Sequence, residues 1–149
     1  HFRVSWAIFN LGETYQELGE PEKTKDILET HIAAYNGQYD ASNFQAAQVL
    51  KTLGKIYLLH NQLEKSEEYL LKSLSILQNR KKPIDTYLIL EDLGDLYTKQ
   101  LNKAEKEKRE KCKAKAIMYL KQSLEIIKIC SSEDSSDFIR IRSKIKKLE

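Results

Sequence analysis

The amino-acid sequence predicts an all-helical repeat protein, and three observations carry that prediction. Leu-Gly-x-x-Tyr occurs three times, as Leu11-Gly12-Glu13-Thr14-Tyr15, Leu53-Gly54-Lys55-Ile56-Tyr57 and Leu93-Gly94-Asp95-Leu96-Tyr97, with the glycines 42 and 40 residues apart. A second pattern occurs twice, 50 residues apart: Tyr69-Leu70-x-x-Ser73-Leu74-x-Ile76 and Tyr119-Leu120-x-x-Ser123-Leu124-x-Ile126. Glycine and proline are scarce, at five and two among 149 residues, which suits helices joined by short turns better than a sheet. Self-similarity at a fixed period is the mark of stacked units, none of which can bury its apolar face alone.

Each copy reads as a pair of helices. Ile8, Leu11, Tyr15 and Leu18 share one helical face, as do Leu50, Leu53 and Tyr57, and Leu90, Leu93 and Tyr97. A glycine inside a helix costs about 1 kcal/mol against alanine. Its recurrence at one register implies a second helix crossing too closely for a Cβ. Small or mid-sized residues answer it on that helix: Thr24, Ser66 and Ala116.

The first unit runs over about 3–43, its helices joined at Gly19-Glu20-Pro21. Proline there enters the second helix at its first turn, where the missing N–H removes no bond. Asn36 to Asn43 is rich in turn formers and links to the second unit, about 44–83. His60-Asn61-Gln62 is its inter-helix turn. Asn79 to Pro83 ends it, because the residue before proline is pushed out of helical geometry. The third unit, about 84–130, carries ten extra residues around 101–115, with seven basic and three acidic side chains. Glu105–Arg109 and Glu107–Lys111 have the acid-first i,i+4 order that supports a solvated helix. Ten residues are not a whole number of turns, so a single extended helix would turn its apolar face by roughly 80°, and sharing the insertion between both helices avoids part of that. Ser131 to Ser136 breaks the pattern. Phe138, Ile141, Ile145 and Leu148 then stripe a final amphipathic helix, about 136–149, which caps the third unit.

The motif set resembles the tetratricopeptide repeat family. The slots of that family hold Ile8/Leu50/Leu90, the three Leu-Gly pairs, the three tyrosines, Thr24/Ser66/Ala116, Leu28/Leu70/Leu120 and His31/Ser73/Ser123. The units are longer than the usual 34 residues and look like the long variant of kinesin light chains. The resemblance implies a right-handed α-solenoid of three helix pairs plus the capping helix, in one domain. It also implies a concave groove lined by the first helices. By that resemblance the groove positions are Trp6, Phe9, Glu13 and Gln16, then Gln48, Lys51, Lys55 and Leu58, then Leu88, Glu91, Asp95 and Thr98. Lys51 and Lys55 are the expected polar anchors and Leu58 and Leu88 the apolar ones, for a peptide or helix of a protein partner. The clamp that some relatives use for chaperone tails needs basic residues in the third unit, where acids stand here.

Two further readings come from other classes. Phe2, Val4, Trp6, Ile8 and Phe9 make an apolar opening, which suits a piece of a longer chain, stacking on a missing repeat or on a second copy as a homo-oligomer. The basic segment 99–121 has nine Lys or Arg against three Glu and offers an acidic or RNA surface, but no aromatic residue interleaves it before Tyr119 for base stacking. Net charge is only +3, too little to argue for nucleic acid by itself. An enzyme is not expected: no phosphate-binding loop, dinucleotide fingerprint or nucleophile elbow is present. His1, His31 and His60 have no partners at metal-ligand spacing, and neither do Cys112 and Cys130, so no cofactor, metal or structural disulfide is expected. Cys112 among lysines and Ser131 ahead of Asp134 read as exposed and incidental. No apolar run approaches the length of a membrane span, and a reducing cytoplasmic setting fits the cysteine usage.

Overall fold

A computed structural model of the chain describes residues 7, 10, 11, 14, 15, 17–34, 44–80 and 82–149. Helix is the dominant structure among them. Six helices are continuous: α1 (Pro21–Ala34), α2 (Phe44–Leu59), α3 (Leu63–Asn79), α4 (Tyr87–Lys103), α5 (Lys106–Cys130) and α6 (Ser136–Leu148), with a short 3-10 turn at Pro83–Asp85. The residues form two compact units, 1–80 and 81–149. The predicted linker Asn36 to Asn43 and the apolar opening from Phe2 to Trp6, with Ile8 and Phe9, lie outside the described residues.

In the first unit α2 and α3 are an antiparallel pair closed at Gly54. A Cβ built there would lie 2.7 Å from Leu70 Cγ and 3.2 Å from Leu70 N. Ser66 Oγ donates to the Gly54 carbonyl at 2.7 Å, and Ser73 Oγ to the Ala47 carbonyl at 2.6 Å. Small residues therefore let the backbones approach, and hydroxyls use that approach to tie one helix to the other. Asn61 at φ 61° makes the turn, and Gln62 N–H donates back to the Tyr57 carbonyl at 2.9 Å. This is a left-handed helix stop, which asparagine tolerates better than most residues. Gly19 at φ 74° does the same before α1, with Glu20 N–H donating to the Tyr15 carbonyl at 2.8 Å. Leu28 of α1 packs on Val49, Leu53 and Tyr57 of α2. Leu11 and Leu18, by contrast, stand exposed.

The second unit repeats the construction. A Cβ on Gly94 would lie 2.5 Å from Leu120 Cγ, and Ser123 Oγ donates to the Tyr87 carbonyl at 2.8 Å. Tyr97 stacks on Tyr119 at 5.6 Å, as Tyr57 does on Tyr69 at 5.5 Å. Thr24, Ser66 and Ala116, and likewise Leu28, Leu70 and Leu120, are all fully buried. The ten extra residues are shared. Helix α2 runs five residues past Gly54 but α4 runs nine past Gly94, and α3 starts three residues before Ser66 but α5 ten before Ala116. Additions of four and seven residues, with the turn between the helices one residue shorter, account for the ten and are close to one and two turns, so both helices keep their apolar faces turned inward. Helix α6 starts at Ser135, whose Oγ accepts from Phe138 N–H at 3.3 Å, as a capping serine does. Its Phe138, Ile141 and Ile145 pack on Leu120 and Ile127 of α5.

Candidate binding faces of the first helices

Helix α2 is buried on every side but one. Its unburied residues are Phe44, Gln45, Gln48, Lys51, Lys55 and Leu59, and all but Gln45 fall on one stripe at spacings of four, three, four and four. A helix this apolar fits only a site enclosed by neighbours, so an open stripe bearing two lysines stands out. Gln48, Lys51 and Lys55, which are groove positions by the family resemblance, lie on it. Leu58 does not: it is 6% exposed, and the leucine that reaches the stripe is Leu59, at 62%. One helical residue is a rotation of about 100°, enough to move an apolar anchor from surface to core. Phe44 and Leu59, which are not groove positions by the family resemblance, close the two ends of the stripe. Lys55 is exposed and enters no ion pair among the described residues.

Of the corresponding residues of α4, Glu91, Asp95 and Thr98 are engaged within their own unit. Leu88 is 38% exposed. Glu91 is buried, and both of its oxygens are bound by α6: Arg140 Nε donates to Oε1 at 2.8 Å and Arg140 Nη2 to Oε2 at 2.7 Å. Lys144 Nζ donates to Glu91 Oε1 at 2.8 Å and to Asp95 Oδ2 at 2.6 Å. Asp137 accepts from the Tyr87 hydroxyl at 3.1 Å and also pairs with Arg140. Thr98 is turned to its own helix, its hydroxyl donating to the Gly94 carbonyl at 2.8 Å. Burial pushes the Glu91 carboxyl up, but the hydrogen bonds and charges of Arg140 and Lys144 outweigh it and hold the group below its ordinary value. Burial likewise opposes the charge of Lys144, and Asp95 and Glu91 more than restore it. The Arg140 guanidinium is held protonated chiefly by Glu91. Glu91 and Asp95 are thus ligated by the chain's own last helix. Trp6, Phe9, Glu13 and Gln16 lie outside the described residues.

No group of three or more metal-ligating side chains occurs among the described residues. None of the described helices is long and apolar enough to cross a membrane. Cys112 is half-buried and Cys130 exposed, both as free thiols.

A family model described as a tetratricopeptide repeat matches residues 3–79. No curated protein matches the chain.

Proposed function

Because the chain belongs to the tetratricopeptide repeat family, whose repeats generally mediate protein–protein interaction, we propose that it is a non-catalytic scaffold holding a peptide or helical segment of a protein partner against the open stripe of α2. The observation that carries this reading is the stripe itself. A helix otherwise enclosed leaves Lys55 exposed and Gln48 and Lys51 half-buried along one line, with half-buried Phe44 and exposed Leu59 at its ends. Lysines four residues apart stand about 6 Å apart along the axis. That span suits two carboxylates spaced i,i+4 on a partner helix, or i,i+2 on an extended peptide. The partner is therefore an acidic segment with an apolar residue for Leu59. Leu88 of α4 belongs to the other unit and is not part of this stripe. Family membership also favours a binding module over an enzyme, and a cytoplasmic setting remains part of this reading.

The test is capture of partners by the wild-type chain beside a K51E/K55E chain, followed by titration of any purified partner against both. The charge reversal weakens binding and leaves the circular dichroism unchanged, since these side chains lie off the core. Equal affinity of both chains for the partner sinks the assignment to this stripe.

A further inference from the structure

Helix α6 is attached differently from the partners within the α2–α3 and α4–α5 pairs. Between α2 and α3, and between α4 and α5, a glycine lets the second helix reach the first, and serine hydroxyls bond directly to the facing carbonyls. Helix α6 carries the same stripe as the first helices, with Phe138, Ile141 and Ile145 in the places of Leu90, Leu93 and Tyr97. At the glycine register it has Arg142, which is exposed. Its hydrogen bonds to α4 run between side chains: Asp137 with Tyr87, Arg140 with Glu91, and Lys144 with Glu91 and Asp95. The segment leading to it, Ser131 to Asp134, is polar and exposed throughout.

Beneath α6 lie two fully or nearly buried apolar residues of α5, Leu120 and Ile127, beside a carboxylate pair of α4 spaced i,i+4. Arg140 and Lys144 are spaced i,i+4 as well. The surface is thus the complement of a basic amphipathic helix in both charge and register. A buried carboxylate that needs two cations adds little to stability over an apolar contact, but it discriminates strongly against the wrong partner.

We propose that this α4–α5 surface is a docking site for a basic amphipathic helix, filled in the folded chain by α6 and open to a protein partner whose helix carries cations at i and i+4 beside an apolar stripe. This site is separate from the α2 stripe, and its test uses neither Lys51 nor Lys55.

A fluorescent peptide of residues 134–149 serves as the probe, titrated by anisotropy against the full chain as wild type and as R140E/K144E. In the double variant the resident helix is repelled from Glu91 and Asp95. The peptide then binds that variant roughly tenfold or more tightly than it binds wild type, and a peptide carrying the same two glutamates binds neither. Equal affinity for the two proteins, no binding to the variant, or binding retained by the reversed peptide overturns the proposal. Hydrogen exchange on the unaltered chain decides the matter independently of any variant's folding. A helix that can be displaced opens as a unit before the core, so α6 amides exchange ahead of those of α4 and α5. Exchange of all three helices in one cooperative step overturns the proposal equally.

Discussion

Alanine in place of Gly54 tests the packing on which the helix pairs depend, because two effects of opposite sign meet there. On helix propensity alone Gly54→Ala stabilises the chain by about 1 kcal/mol. The structure opposes it. The new Cβ lies 2.7 Å from Leu70 Cγ, 2.8 Å from Leu70 Cδ2 and 3.2 Å from Leu70 N. Cγ is not a free end that can swing aside, and Leu70 is fully buried. The backbone nitrogen moves only if α3 moves, which also strains the Ser66 and Ser73 hydroxyl bonds to α2. Overpacking of this kind costs about 1–3 kcal/mol, so the net expectation is a loss of about 1 kcal/mol, read as a lower urea midpoint at unchanged m-value. Removing the obstacle reverses the sign. In a Leu70→Ala background, itself less stable by about 2–5 kcal/mol, the same glycine-to-alanine change is favourable by up to about 1 kcal/mol. A stabilising Gly54→Ala in the wild-type background, or the same effect in both backgrounds, refutes the close-approach argument.

Three further outcomes follow from named contacts. Ser73→Ala removes the 2.6 Å bond to the Ala47 carbonyl and lowers stability by about 0.5–1.5 kcal/mol in urea unfolding, while Ser75→Ala, at an exposed position of the same helix, changes it by less than about 0.5 kcal/mol. His31 is buried, and burial lowers its pKa from the ordinary 6.5. The unfolded chain therefore takes up this proton first, and stability complete above pH 6.5 declines as pH falls toward the folded value. His31→Leu flattens the thermal midpoint over that interval, and an unchanged slope contradicts the assignment. Glu91 has a folded pKa below its ordinary 4.5. Its contribution is full above that value and is lost as pH falls through the folded one, so α6 amides lose exchange protection below pH 4.5, and Glu91→Gln removes that dependence.

Much of the fold was legible because its determinants are local and repeated. The Leu-Gly-x-x-Tyr copies mark where two helices touch, but the side chains that meet Gly54 and Gly94 there are Leu70 and Leu120, while the expected Ser66 bonds to the Gly54 carbonyl. How the insertion divides between the two helices was only partly legible, since the sequence shows that ten residues are not a whole number of turns but not where the turn between the helices falls. The binding faces were less legible. Family register places Leu58 at the surface, whereas α2 is so widely enclosed that a single residue of phase decides exposure. The engagement of Glu91 and Asp95 had a sequence signal, the matching i,i+4 spacing of Arg140 and Lys144. Spacing alone does not say that helices some fifty residues apart in sequence lie side by side. That needed the apolar stripe of α6 to be aligned with Leu90, Leu93 and Tyr97.

The proposed role of α2 is tested most directly by placing a photo-crosslinking side chain at Gln48, on the open stripe, and at Lys72, on the exposed side of α3. Both sites tolerate substitution, since neither lies in the core. On the proposed role a captured partner crosslinks at position 48 and not at position 72, and K51E/K55E abolishes the crosslink. A partner that crosslinks at position 72 alone, or equally at both, contradicts it.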